Sequence, residues 1–409
     1  MSGTTTQPPF ATREPPLAGR QRGTNQSGMR DANERLVLTL VRRHGSLSKT
    51  DIARATGLSA QTVSVIMRAL EHEGLLERGE PMRGRVGQPS VPMSLAENGA
   101  FFLGLKIGRR SSEMVLVDFH GNLRGRRVRR HDWPMPDAAI SFCDMAVHEL
   151  LEQLPTELRA RVAGMGVATP FQLWDWADSL GAPQAEMDLW RGRDLRSELA
   201  ARHPFAVFLE NDATAACGAE LVFGTAPMPQ DFLHVYMGFF VGGGVVLNGS
   251  LWPGRSGNAG ALGSMPVRAP GGQVVQLIEV ASIAVLERGL IAAGLPTDLI
   301  WASPEHWPVP ETLLAPWIAG AAEGLAQAAV AALSVIDFQA MVIDGWMPAE
   351  VRQRIVAAVG VALARQNMAG LEPLSVIEGT IGADARALGA AALPLTDRFL
   401  IEGSPRTLA

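Results

Sequence analysis

A helix–glycine–helix pattern in residues 46–79 limits the fold of the front of this chain more than any other feature does. The segment reads SLSKTDIARATGLSAQTVSVIMRALEHEGLLERG. Ser48 and Ser59 are typical helix N-caps, and Gly57 suits the turn between the two helices. An apolar stripe at three- and four-residue spacing precedes the segment and stops at Gly45. Three helices in this order predict a helix-turn-helix.

The longer helix, predicted to run to about Glu73, has one apolar and one polar face. Its apolar positions are Val63, Ile66, Met67 and Leu70. Hydroxyl, amide and guanidinium groups on the other face suit base edges in a major groove. The DNA-binding candidates are therefore Ser59, Gln61, Thr62, Ser64 and Arg68. The same residues would also fit ordinary solvated positions on a small three-helix unit.

The residues that follow favour the first of these two interpretations. The sequence LLERGEPMRGRVGQPSVPMSL indicates a strand, a loop with Gly and Arg, and a second strand. Such a hairpin beside a helix-turn-helix is a wing. Arg83 and Arg85 at its tip are expected to reach phosphates or the minor groove.

Charge divides the chain in the same way. Residues 1–95 hold 13 of the 36 Arg and Lys but only 8 of the 41 Asp and Glu. A basic front part suits a polyanion, and the acidic remainder does not. Residues 1–30 are rich in Pro, Gly, Thr and Gln and are predicted to form a disordered basic arm.

Composition excludes several classes of protein. The N-terminus lacks the apolar core of a secretory signal, and no run of about 18 uncharged apolar residues is found, because Glu323 and Gln327 interrupt the best candidate. The two cysteines, Cys143 and Cys217, have no metal-binding or redox spacing. We expect a cytoplasmic protein with no membrane partner and no disulfide framework.

From residue 96 onward the chain alternates strand and helix signals. Three strands with tight turns are followed by helix, strand, helix, strand and helix, and a similar order returns from Phe232. This duplication predicts an α/β fold with two actin-like (RNase H-like) ATPase lobes. The predicted domains are 1–30, 31–95 for the winged helix-turn-helix, and 96–409 for the two lobes.

Several motifs in this second part resemble those of the ROK family, named for repressor, open reading frame and kinase. They are VLVDFHGNL, GMGVATP, FLENDATAACGAELVFG, GGGVVLNGSLWPGRSGNAGALGSMPV, IDFQAMVIDG and IGADARALGAAALPL. The front helix-turn-helix then resembles that of the repressor branch of the family. The resemblance implies a domain that binds a small-molecule effector and dimerises.

Kinases of this family need phosphate-binding features that this chain has changed. Lys106 stands at an acidic position of the first hairpin, with Arg109 and Arg110 in its turn. In YMGFFVGGG, Phe239 and Phe240 replace a small and a hydroxyl residue. Two benzyl groups leave no room for a phosphate, so we expect no catalytic residues and no kinase activity.

The sugar and zinc motifs have changed too. The family's GxxGExGH pattern aligns with GNAGALGS, which puts Ala261 at the sugar-binding glutamate and Ser264 at the zinc-binding histidine. The cysteine cluster of the family is absent, so no zinc site and no cofactor are expected. The remaining effector-binding candidates are Gln184, Asn211, Asp212, Asn258 and Ser264. Asp212, which resembles the family's catalytic aspartate, would also serve as the cap of a helix beginning at Ala213.

The leading hypothesis is a DNA-binding transcriptional regulator, and we expect it to repress carbohydrate-related genes. Its partners would be double-stranded operator DNA and a sugar or sugar derivative, and it would form a homodimer or homotetramer. One alternative is an active sugar kinase with an inert front domain. Another is a DNA-binding protein whose lobes bind no ligand.

Overall fold

The computed structural model describes residues 26–81 and 91–401. The chain forms two compact units. The first comprises Met1–Glu210 and Ala390–Ala409, and the second comprises Asn211–Gly389. The predicted arm falls mostly outside the described residues, and so do Arg83 and Arg85 at the tip of the predicted wing.

The first unit begins with the predicted helix-turn-helix and two wing strands. Its elements are α1 (Gln26–His44), β1 (Ser46–Leu47), α2 (Lys49–Thr56), α3 (Ala60–His72), β2 (Leu76–Arg78) and β3 (Met93–Leu95). Ser48 caps α2 in a full capping box with Asp51, and Ser59 caps α3. Gly57 adopts a φ of 70°, which a side chain would strain. The three predicted caps and turns of this motif are confirmed.

The same unit continues into a five-stranded sheet. Its further elements are β4 (Phe101–Ile107), β5 (Ser111–Val117), β6 (Leu123–Arg130), α4 (Pro136–Glu152), α5 (Thr156–Arg159), β7 (Val162–Thr169), α6 (Ala177–Leu180), α7 (Gln184–Met187), α8 (Leu195–Ala200) and β8 (Val207–Asn211). The strand order is β6-β5-β4-β7-β8. The helix that the sequence predicts before β8 is the short α8, which begins only after Gly192, a residue with a positive φ.

The second unit holds the other five-stranded sheet. Its elements are α9 (Asp212–Phe223), β9 (Phe232–Met237), β10 (Val241–Leu247), β11 (Ser250–Trp252), β12 (Pro266–Arg268), β13 (Val274–Gln276), α10 (Ile278–Ala281), α11 (Ile283–Ala292), α12 (Asp298–Trp301), α13 (Glu311–Leu333), β14 (Ala340–Gly345), α14 (Ala349–Leu363), β15 (Ser375–Glu378) and α15 (Ala385–Phe399), whose last ten residues belong to the first unit. The strand order is β11-β10-β9-β14-β15.

The two sheets have the same topology. In each, an antiparallel meander supplies three strands, and the fourth strand in sequence pairs in parallel with the first. The order of strands along the sheet is thus the same in both units. This repeat confirms the duplicated α/β fold that the sequence predicts.

Helix α13 departs from one expectation. It is long and apolar enough to cross a membrane by length and composition, and 56% of its most apolar window is buried inside the protein. The buried side includes Leu314, Trp317, Ile318 and Leu325, which belong to the core of the second unit. A core helix of a globular fold accounts for this composition.

Candidate nucleic-acid interface and effector site

Helix α3 presents the polar face that its sequence predicts. Val63, Ile66, Met67 and Leu70 are buried, as expected. Gln61 and Arg68 are exposed. Val65, which the sequence pattern did not single out, is 51% exposed on the same helix. An apolar side chain there suits the methyl group of thymine.

Two of the predicted DNA-binding residues also stabilise the start of α3. Ser59 Oγ accepts a hydrogen bond from the Thr62 amide at 3.1 Å, and the two hydroxyl oxygens lie 2.9 Å apart. Arg68 folds back along the helix, since its Nε donates to the Ser64 carbonyl at 3.1 Å. Gln61 and Arg68 are the two predicted DNA-binding residues within α3 that are exposed.

An ion pair connects the wing to α3. Arg78 on β2 donates to Glu71 through Nε at 2.6 Å and through Nη2 at 3.0 Å. This hydrogen bond lowers the pKa of Glu71. A two-point contact of this kind fixes the orientation of the strand relative to the helix.

Arginine side chains anchor the helix-turn-helix to the rest of the first unit through backbone carbonyls. Arg35 on α1 donates to Leu400 at 2.7 Å and to Thr396 at 3.2 Å. Arg42, also on α1, donates to the carbonyls of Phe119 at 2.7 Å and His120 at 3.2 Å. The DNA-binding candidate is thus held to the end of α15 and to the β5–β6 turn by charged hydrogen bonds.

The glycines of β10 are explained by close packing. A Cβ on Gly242 would lie 2.8 Å from the Cβ of Ala213, and one on Gly244 would lie 2.5 Å from the Cβ of Cys217. Both partners are on α9. Glycine is therefore needed for the helix to approach the strand, whether or not a phosphate binds nearby.

Aromatic side chains fill the loop between β9 and β10. Phe239 is 6% exposed, and its ring stacks on Trp301 with the centroids 5.9 Å apart. Phe240 packs edge-on against Phe239 at 4.8 Å. The loop between β9 and β10 is thus packed with aromatic side chains.

The backbone of this loop is already bonded to the start of α11. The carbonyls of Gly238 and Phe239 accept hydrogen bonds from the amides of Ile283 and Ala284, at 3.2 and 3.0 Å. Amides at the first turn of a helix are the groups that normally bind an anion. Here those two amides have protein carbonyls as partners.

Lys106 belongs to an internal ion pair. It is 4% exposed, and its Nζ lies 3.0 Å from Ser111 Oγ and 3.5 Å from Glu113 Oε2. Lys106 and Glu113 face each other in the register of β4 and β5. Glu113 is shared with Arg126 of β6, whose Nε lies 3.2 Å from Oε1. Arg109 in the adjoining turn lies over the ring of Trp176 at 5.3 Å.

The first turn of α9 assigns different tasks to Asn211 and Asp212. Asn211 is the N-cap, and its Oδ1 accepts from the amides of Ala213 and Thr214 at 3.0 and 3.4 Å. The interpretation of Asp212 as the cap is therefore wrong. Asp212 is 8% exposed and pairs with Arg386, with Oδ2 and Nη1 3.3 Å apart. No local sequence signal links two residues that are 174 positions apart.

The other effector candidates occupy more open positions. Gln184 is exposed at the start of α7, and its amide nitrogen donates to the Trp174 carbonyl at 2.9 Å and to Asp188 at 2.8 Å. Asn258 and Ser264 are exposed on either side of Gly260. A Cβ on that glycine would lie 2.7 Å from Gly244, so this loop contacts the strand that α9 also contacts.

Comparisons with known proteins match each of the two parts of the chain to a protein family. Residues 102–276 match the ROK family, and residues 30–77 match the winged helix-turn-helix DNA-binding family. The xylose repressor of Bacillus subtilis is 24% identical over 243 residues, which are 59% of this chain and 62% of that protein. The match thus spans about three fifths of this relative.

Solved structures show the same fold. A ROK family transcriptional regulator, described as a homologue of the Escherichia coli MLC protein, has a TM-score of 0.67 and 19% identity over 91% of this chain and 97% of its own. A ROK family glucokinase from Streptomyces griseus, solved with glucose and AMPPNP, has a TM-score of 0.55 and 19% identity over 72% of this chain and 99% of its own. At such identities the likeness extends to the fold alone.

Proposed function

We propose that this protein is a transcriptional regulator that binds operator DNA, because the chain contains a ROK-family domain and a winged helix-turn-helix. The observation that carries the proposal is the exposed face of α3 beside a wing. Gln61 and Arg68 would contact base edges, and Val65 would contact a thymine methyl. Ser59, Thr62 and Ser64 would position the helix at the groove, and Arg83 and Arg85 would contact the backbone or minor groove.

Substitutions on α3 test this assignment. We expect Gln61→Ala or Arg68→Ala to weaken binding to a DNA fragment selected with the wild-type protein by about 1–3 kcal/mol. Binding to random DNA should change much less. Arg365→Ala is a matched control, because Arg365 is an exposed arginine of the second unit. Equal losses on selected and random DNA would show that α3 does not contact bases.

Helix α1 begins at Gln26, so the arm predicted over residues 1–30 is too long by its last five residues. We propose that the residues before α1 form an arm, that α1 and the chain up to residue 95 form the DNA-binding domain, and that residues 96–409 form the effector-binding and dimerisation domain. A homodimer or homotetramer would place two α3 helices on half-sites about one or more helical turns apart. Such a protein would act in the cytoplasm. Titration of a half-site and of a full palindromic site distinguishes monomer from dimer binding.

The effector would be a sugar or sugar derivative, and repression of carbohydrate-related genes would respond to it. This proposal is supported by the xylose repressor match and by polar residues at the start of α9 and in the loop around Gly260. Asn211, Asp212, Asn258, Ser264 and Gln184 are the residues proposed to bind it. Melting temperatures measured with sugars, sugar alcohols and sugar phosphates test it, since a ligand of the folded state raises stability by mass action.

We further propose that this domain has lost kinase activity. The Phe239 ring and the bonded amides of α11 support the loss. The alternative is an active sugar kinase with a DNA-binding front domain, which the kinase fold supports. Incubation with ATP, Mg²⁺ and a panel of sugars decides between them: any catalytic formation of a sugar phosphate would establish the kinase.

A further inference from the structure

A buried group of one imidazole and two carboxylates lies between α9 and the second sheet. Glu220 comes from α9, His234 from β9 and Asp344 from β14. One ligand-type atom from each residue lies within 4.8 Å of those from the other two. All three residues are nearly inaccessible, with exposures of 2%, 0% and 0%. Three chain segments thus converge on one enclosed point.

His234 has no polar partner in this environment. Neither Nδ1 nor Nε2 makes a hydrogen bond, although both atoms are buried. A neutral imidazole has one nitrogen lone pair, which is the group that binds transition metals. A buried polar group without a partner is rare in folded proteins and calls for an unseen one.

Hydrogen bonds hold the two carboxylates in place but do not use all the lone pairs of their oxygens. Glu220 accepts two hydrogen bonds from Thr380, one from the backbone amide at 2.9 Å and one from the side-chain hydroxyl at 2.6 Å. Asp344 accepts from the Gly382 amide at 2.7 Å and pairs with Arg352 at 3.2 Å. A carboxylate has about four lone-pair sites, so each can also bind a cation. Hydrogen bonds of this kind orient metal-binding carboxylates in known sites.

Charge also favours a cation at this point. Two carboxylates with one nearby guanidinium leave an excess of negative charge in a buried place. A divalent ion would balance the two carboxylates and give His234 a partner.

We propose that Glu220, His234 and Asp344 bind one divalent transition-metal ion, with Zn²⁺ the best fit to an imidazole and two carboxylates. The site is separate from the position of Ser264, where the zinc-binding histidine of the family would stand. It would be structural, since it is enclosed and joins α9 to β9 and β14. The inference does not depend on DNA binding or on an effector.

Metal analysis of the full-length, untagged protein tests the proposal. The protein is treated with a chelator, incubated with Zn²⁺, passed through a desalting column and measured by mass spectrometry of the metal. We expect about one equivalent per chain and a higher melting temperature than in the chelated form. Retention of less than about a fifth of an equivalent of Zn²⁺ per chain, together with an unchanged melting temperature, would overturn the proposal.

Three variants locate the ion. His234→Leu should abolish retention, and Co²⁺ added to it should give none of the visible absorption expected of the wild type. Thr380→Val should keep the ligands but weaken Zn²⁺ binding by about 10- to 100-fold. His148→Leu is the control, because His148 is exposed beside Glu152 at 3.3 Å. Loss of the ion in the His148 variant with retention in the His234 variant would place the metal elsewhere and refute the assignment.

The sign of a stability change separates a metal site from an empty one. In the chelated state His234→Leu should melt at a higher temperature than the wild type, because it removes two buried polar atoms without partners. In excess Zn²⁺ the order should reverse. A His234→Leu variant that stays the more stable form with Zn²⁺ present would show that no ion binds there.

Discussion

Replacing Asp212 by Asn should destabilise the second unit through Arg386. The substitution keeps the shape of the side chain but removes its charge. Arg386 is 9% exposed, so in the variant it would keep its charge in a buried place without this carboxylate. The Tyr236 ring, 5.1 Å from its guanidinium carbon, would remain beside it. Removal of one partner of a buried ion pair costs about 3–5 kcal/mol. The single contact at 3.3 Å is long for a charged hydrogen bond, so the expected loss is at the lower end.

The expected size can be converted into a melting temperature. A loss of about 3 kcal/mol in a unit of roughly 180 residues corresponds to about 6–12 °C. The double variant Asp212→Asn with Arg386→Met should recover most of this loss, because it leaves no unpaired charge. Thermal unfolding of the wild type, both single variants and the double variant gives the coupling energy directly, expected at about 2 kcal/mol or more.

An exposed ion pair of the same unit supplies the control. Glu323 pairs with Arg365 at the surface, so Glu323→Gln should cost no more than about 1 kcal/mol. If Asp212→Asn melted within about 2 °C of the wild type, or if the two single losses added in the double variant, the ion pair would not stabilise the fold. A fall in stability would not indicate lost helix capping, because Asn211 is the cap.

Three other perturbations follow from the packing and charges. Gly244→Ala should destabilise the protein by about 1–3 kcal/mol, because the added Cβ would meet Cys217. Gly289→Ala in α11, where no atom lies within 4 Å of the added Cβ, should stabilise it by up to about 1 kcal/mol. Equal effects of the two substitutions in thermal unfolding would refute the packing explanation. Arg35→Ala should speed amide hydrogen exchange in α1 by about 10-fold or more, and an unchanged rate would mean that its carbonyl contacts do not hold the helix. Burial lowers the pKa of His131 to about 4, so the unfolded chain binds a proton at a higher pH than the folded chain does. Stability should therefore fall as the pH drops from about 6.5 towards 4. His131→Gln should flatten this slope of stability against pH in urea titrations.

Controls for two of these tests are available close by. Arg30, also on α1, makes an exposed pair with Glu34 at 2.7 Å, so Arg30→Ala should leave exchange nearly unchanged. His148→Gln, at an exposed histidine, is the control for His131→Gln. A flattened slope in the His148 variant would show that His131 is not the residue responsible.

Local chemistry made the front of the chain predictable from its sequence. Caps and turns such as Ser48, Gly57 and Ser59 act within four residues, so their signals are visible in a short window. Strands β4, β5 and β6 could be predicted because Gly108 and Gly121 mark the turns between them. The repeated strand order could also be anticipated because the same sequence of elements occurs twice.

Interactions between distant residues escaped the sequence analysis. The partner of Asp212 is 174 positions away, and the group of Glu220, His234 and Asp344 is assembled from one helix and two strands. No spacing rule relates such residues, since only the folded sheet brings them together. Lys106 was interpreted as an altered phosphate-site residue, but its neighbour across the hairpin, Glu113, explains it as an internal ion pair.

The Phe239 loop shows why a glycine-rich stretch is weak evidence for a phosphate site. The β10 glycines are required by α9, and the amides at the start of α11 are bonded to loop carbonyls irrespective of which side chain stands at position 239. We therefore expect Phe239→Ala to lose about 3–5 kcal/mol of stability through a cavity beside Trp301, and to gain no measurable affinity for ATP with Mg²⁺ by calorimetry. Phe240→Ala, at a less buried ring, should cost less. ATP binding by the Phe239 variant would mean that the ring alone excludes the nucleotide and that the bonded amides of α11 do not matter.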